Sequence, residues 1–136
     1  MLSKTLPIEM APHVAFTSLA PARKVAVSGR GAFDLATLTT ARAACEGQAV
    51  RIICGDNRFD PYQIARVARS KGGKAEAALD CILIARAFTA YQFVELVERL
   101  VSRASAGPVI TTGPCSTLFD ENVAFVDAAR LFYRVL

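Results

Sequence analysis

Short apolar runs alternate with longer stretches of helical spacing along this chain. Residues 24–28 (K-V-A-V-S) are β-branched and end at Gly29-Arg30-Gly31, which predicts a strand followed by a tight turn. Leu35, Leu38, Arg42 and Cys45 then recur at helical spacing, with Asp34 placed to cap that helix and Gly47 to end it. Residues 50–54 (V-R-I-I-C) predict a second strand closed by Gly55-Asp56-Asn57. Asp60-Pro61 opens a helix to about Ser70, stopped at Gly72-Gly73. Residues 80–85 (D-C-I-L-I-A) are apolar on both faces, as a parallel strand covered on both sides would be. Thr89 and Gln92 form a capping box for a helix to about Ser105, with Phe93, Leu96, Val97, Leu100 and Val101 inward. Residues 109–112 predict the fourth strand, Gly113-Pro114 a turn, and residues 120–136 a last helix capped by Asp120.

This strand–helix alternation predicts right-handed crossovers and a mainly parallel sheet with helices on both faces. The expected architecture is a three-layer α/β sandwich around a four- or five-stranded, mostly parallel sheet. The first 20 residues, with prolines at 7 and 12 and another following at 21, read as an irregular lead-in with one short strand near residues 13–17. No repeat, linker or low-complexity tract divides the chain, so residues 1–136 are expected to form one domain.

Composition narrows the function classes. Hydrophobic residues make up 53% of the chain and charged residues 21%, which argues against disorder and leaves apolar surface for a partner. No apolar run approaches the roughly 18 residues that span a bilayer, and the first ten residues lack the pattern of a signal peptide. A cytoplasmic protein with no membrane partner is expected. The cysteines at 45, 54, 81 and 115 form no C-x-x-C pair and the single His13 is remote, so buried thiols are expected and no metal site. The net charge of +4 names no partner. Its densest basic stretch, Arg66, Arg69, Lys71 and Lys74, suits either nucleic acid or a solvated helix end.

Ligands of open α/β sheets bind at the carboxyl ends of the strands, here the loops 28–33, 55–59, 86–89 and 113–117. Gly29, Arg30 and Gly31 open a helix whose amides could hold an anion. A P-loop, however, requires G-x-x-x-x-G-K-[ST], and neither the lysine nor the hydroxyl is present. A dinucleotide fingerprint fails where Asp34 replaces its third glycine, although Asp56 mimics the ribose-binding acid. The expectation is a tight glycine turn with Asp34 as a cap. Arg58 and Arg86 could meet an anion, but pairing with Asp56 or Asp60 is the favoured expectation. Tyr91 could stack a base, whereas Phe93 has core spacing, and Ser116-Thr117 has no histidine nearby to form a hydrolase triad.

Three segments resemble the RecA/RadA recombinase superfamily, in family order. Residues 52–69 (I-I-C-G-D-N-R-F-D-P-Y-Q-I-A-R-V-A-R) are similar to its strand, acidic turn and proline-started helix. Residues 82–92 (I-L-I-A-R-A-F-T-A-Y-Q) resemble its A-R-A-F segment, and residues 108–119 its Walker B strand and turn. The resemblance covers roughly residues 24–136 and implies a RecA-like P-loop NTPase topology. It places Asp56 at the catalytic glutamate and Gly113 at the Walker B aspartate. The Walker A lysine and hydroxyl residue would fall near residues 32–35, where neither occurs. The resemblance therefore implies a non-catalytic domain without a cofactor, around DNA recombination or repair. The absence of the family's later strands would leave an open sheet edge, which with the high apolar content predicts a homo-oligomer or protein-binding module. Two rivals stand beside it. One is an ATP- and magnesium-binding protein using Gly29, Arg30, Gly31, Arg58 and Asp56; the other is a nucleic-acid binder using the Arg66–Lys74 stretch.

Overall fold

Val50, Ile52, Ile53 and Cys54 are all buried because their strand runs through the middle of the molecule with helices on each side. The computed structural model describes residues 25–103 and 107–135. Their elements are α1 (Ala32–Cys45), β1 (Val50–Cys54), α2 (Pro61–Ser70), α3 (Ala75–Asp80), β2 (Ile82–Arg86), α4 (Ala90–Ser102), β3 (Val109–Thr112) and α5 (Phe125–Val135). The sheet is parallel with the order β2-β1-β3. Val50 registers with Ile82, and Arg51 with Val109.

On one face Val50, Ile52 and Cys54 pack with Ala43 and Ala44 of α1, Ala68 of α2 and Ala78 of α3. These small side chains let the helices approach the β-branched strand closely. On the other face Ile53 packs with Ala87 and with Phe93 of α4. Helix α5 closes mainly on α4, through Ala90, Val94, Leu118 and Leu131. A fork from Arg134 to Glu98, with nitrogen–oxygen distances of 2.9 and 2.8 Å, fastens the two helices near the surface. Two caps follow the sequence directly: Asp60 accepts from Gln63 N–H at 3.0 Å, and Thr89 accepts from Gln92 N–H at 3.2 Å.

The structure corrects several expectations. Among the described residues the sheet has three strands rather than four or five, because residues 25–28 form no ladder despite their β-branched sequence. Residues 1–24, and with them the expected strand near residues 13–17, lie outside the described residues. Helix α1 starts at Ala32 behind Gly31, whose φ of 87° is the left-handed turn a glycine tolerates. Asp34 thus sits inside the first turn and makes no capping bond, where its charge still complements the helix dipole. Helix α3 was not expected; it uses Asp80, which delays β2 to Ile82. Among the described residues strand β2 is an edge, not a covered centre, and Leu83 is 67% exposed. Asp120 closes a turn by accepting from Asn122 N–H at 2.9 Å, and α5 begins only at Phe125. Among the described residues no helix is long and apolar enough to cross a membrane.

The Ile53 side chain is fully enclosed between β1 and α4. Ile53→Ala is expected to lower unfolding stability by about 3 kcal/mol, read from the urea midpoint with an unchanged slope.

Candidate functional site: a cleft at the carboxyl ends of β1 and β3

The carboxyl ends of β1 and β3 meet almost without side chains between them. Gly55 N–H donates to Thr112 O at 2.8 Å, and a Cβ on Gly55 would lie 2.5 Å from Gly113 O. Gly113 has φ 54°, and a Cβ there would collide with the side chain of Asp56. Both glycines are therefore required by close approach.

Asp56 is held in this junction. Its Oδ1 accepts the Thr112 hydroxyl at 2.9 Å and the Arg58 N–H at 3.2 Å. Asn57, with φ 56°, turns the backbone so that Arg58 can reach back. The Arg58 guanidinium lies 4.0 Å from the centroid of the Phe33 ring, joining this loop to the start of α1. Beside them opens a cleft of about 510 Å³, lined by Gly29, Phe33, Asp56 and Arg58 together with Val25, Val27 and the residues of β3.

The structure brings Gly29, Asp56 and Arg58 together and leaves the other sequence candidates elsewhere. Arg30 and Gly31 are exposed at the turn, and neither lines the cleft. Arg86 stands exposed at the end of β2, on the far side of β1. Arg66, Arg69, Lys71 and Lys74 are exposed at the end of α2 and the link to α3, away from the cleft. The expected pairing of Arg58 or Arg86 with Asp56 or Asp60 is absent among the described residues; stacking on Phe33 takes the Arg58 head group instead. Thr112 escaped sequence reasoning, because its hydroxyl looks like one more strand residue until the loops are placed beside each other. Phe33 reads in the sequence only as part of the 28–33 loop, with no partner.

These side chains do not fit a magnesium–nucleotide complex. The first turn of α1 offers alanine, phenylalanine, aspartate and leucine, with no lysine for a phosphate and no hydroxyl for a metal. One Asp56 oxygen already accepts two protein donors. The space in which a side chain at position 113 would stand is filled by Asp56. Among the described residues no group of three histidine, cysteine, aspartate or glutamate side chains could hold a metal. What remains is a carboxylate with one oxygen engaged, a stacked guanidinium, and walls of apolar and threonine side chains, which can recognise a ligand.

Cys54 lies directly beneath the junction and donates to Arg58 O at 3.4 Å. Burial pushes its thiol above the ordinary 9.0; the Thr112 hydrogen bond opposes the rise, the Asp56 charge adds to it and the Arg86 charge opposes it. Because the folded chain resists ionisation at Cys54, this contribution to stability is complete below pH 9 and is lost as pH climbs past the thiol's raised value. Urea unfolding between pH 8 and pH 10.5 should show that loss, and Cys54→Ala should flatten it. Cys115, exposed, should be alkylated at once in the folded protein, with Cys54 protected until unfolding.

Compared with protein-family models and with curated protein sequences, the chain matches none, so its own side chains alone say what this cleft can do.

Proposed function

We propose that this chain is a non-catalytic, RecA-like α/β domain that works as a self-associating or partner-binding module. The process that its sequence resemblance implies is DNA recombination or repair. The observation that carries the reading is its large exposed apolar side chains. Leu83, Phe88 and Tyr91 stand exposed on and after β2, and Phe119, Phe125 and Tyr133 stand exposed around α5. Such clusters on a small domain mark contact surfaces. The chemistry of the cleft supports the reading, because one oxygen of its carboxylate accepts two protein donors and the first turn of α1 has no lysine or hydroxyl for a phosphate and its metal.

Light scattering of the eluting protein at micromolar concentration tests this reading. A dimer or a larger species is expected. A stable monomer that binds no apolar dye sinks it.

A nucleotide-binding reading has one observation in its favour, the meeting of Gly29, Asp56 and Arg58 in a single cleft. Thermal unfolding with millimolar ATP or ADP and magnesium separates the two readings. The non-catalytic module is expected to show no change in Tm. A magnesium-dependent rise that disappears in Asp56→Ala would favour the nucleotide reading instead.

A further inference from the structure

Helix α2 is held against the core by Ile64, Ala65 and Ala68, which are all buried. On its outer side Tyr62, Arg66 and Arg69 follow at intervals of four and three residues, so they share one face about 10 Å long. All three are exposed, Tyr62 to 80%. Lys71 and Lys74, also exposed, carry the line of cations past the end of the helix. No acid occurs between Pro61 and Ala75, and none of the four cations has an ion pair among the described residues. The acids on either side are otherwise placed. Asp60 accepts from Gln63 N–H at the opposite end of α2, and Glu76 stands in the first turn of α3. Side chains outside the described residues bring more positive charge than negative. Residues 1–24 hold Lys4, Arg23 and Lys24 against the single acid Glu9, and residues 104–106 hold no charge.

We propose that this stripe binds single-stranded nucleic acid, with its cations along the sugar–phosphate backbone and Tyr62 stacked on a base. The inference stands apart from the self-association reading, whose exposed apolar side chains lie around β2 and α5. Four cations left without acidic partners complement a polyanion, and the release of its counterions drives the contact. The Tyr62 ring separates the candidate polyanions. An exposed aromatic among cations gives an unpaired base a stacking face, which the carboxylates of an acidic protein segment do not use. A duplex offers the same phosphates but keeps its bases stacked inside, so the ring favours a single strand. An anionic bilayer fits less well, because the stripe carries no aliphatic side chain to enter it; those of Ile64, Ala65 and Ala68 are buried.

Fluorescence anisotropy of a labelled oligothymidylate of about 20 nucleotides, titrated with the full chain, tests the proposal. With all four cations engaged, the logarithm of affinity should fall against the logarithm of salt with a slope of about −3. Arg66→Ala and Arg69→Ala should each weaken binding and make that slope shallower by about 0.7. Tyr62→Ala should weaken binding about tenfold and leave the slope unchanged, a separation that bare charge attraction does not produce. The three side chains are exposed, so each variant should keep the wild-type circular dichroism spectrum. Absence of binding at low salt, or a slope that neither arginine variant alters, overturns the proposal. So does binding that survives Tyr62→Ala undiminished, or that polyglutamate or phosphatidylserine vesicles match at equal charge. None of these outcomes depends on whether the chain is a monomer or a dimer.

Discussion

The close approach of β1 and β3 at their carboxyl ends sets the shape of everything near the cleft. Two glycines permit it, since any Cβ at position 55 or 113 meets the other strand's backbone or Asp56. The Gly55 amide and the Thr112 hydroxyl then close the junction with hydrogen bonds. That contact fixes the Asp56 carboxylate, and Asp56 in turn fixes the amide of Arg58. Arg58 carries the constraint outward to Phe33 and so to the first turn of α1. A single backbone approach therefore positions the carboxylate, the guanidinium and the helix start. Rigid support of this kind holds these side chains in one fixed arrangement.

Cover over the sheet is uneven, and that unevenness matters more for partners than composition does. Three helices shield one face around Val50, Ile52 and Cys54, with alanines at the contacts. On the other face α4 covers Ile53, but α5 stacks on α4 and leaves Leu83 and Val109 in contact with solvent. An apolar fraction of 53% in 136 residues thus divides between a compact alanine-rich core and aromatic side chains at the surface. Burying those aromatics internally would need further structure above the sheet, which the described residues do not provide.

How much of this was legible depended on how local each signal is. The boundaries of β1 and β3 and the start of α2 could be read from sequence because short β-branched runs and the Asp60-Pro61 pair are local chemistry. Residues 25–28 carry the same strand signal, yet pairing is a tertiary event and no neighbour supplies their ladder. The apolar run before Arg86 fits a covered central strand and an uncovered edge equally well, since periodicity reports side chains and not what lies beyond them. Helix α3 was hidden because six residues are too few for a helical period to stand out. At the site, Gly29, Asp56 and Arg58 were visible as residue types, whereas their partners Phe33 and Thr112 became meaningful only through contacts made across the sheet.

An acid placed at position 113 would not by itself make a metal site. The resemblance assigns that position to the residue that supports magnesium, and restoring a carboxylate looks like a small change. A side chain attached at Gly113, however, would project into Asp56, with its Cβ 2.9 Å from Oδ2 and closer still to the carbons. The backbone there also sits at φ 54°, a conformation that an aspartate adopts only at some cost. Making room would require the two loops to separate, which would break the Thr112 bond that holds Asp56. Two carboxylates forced together in that space would also repel unless a cation arrived with them, and the first turn of α1 supplies no hydroxyl to help hold one. A side chain at position 113 is therefore opposed by the packing of the junction itself.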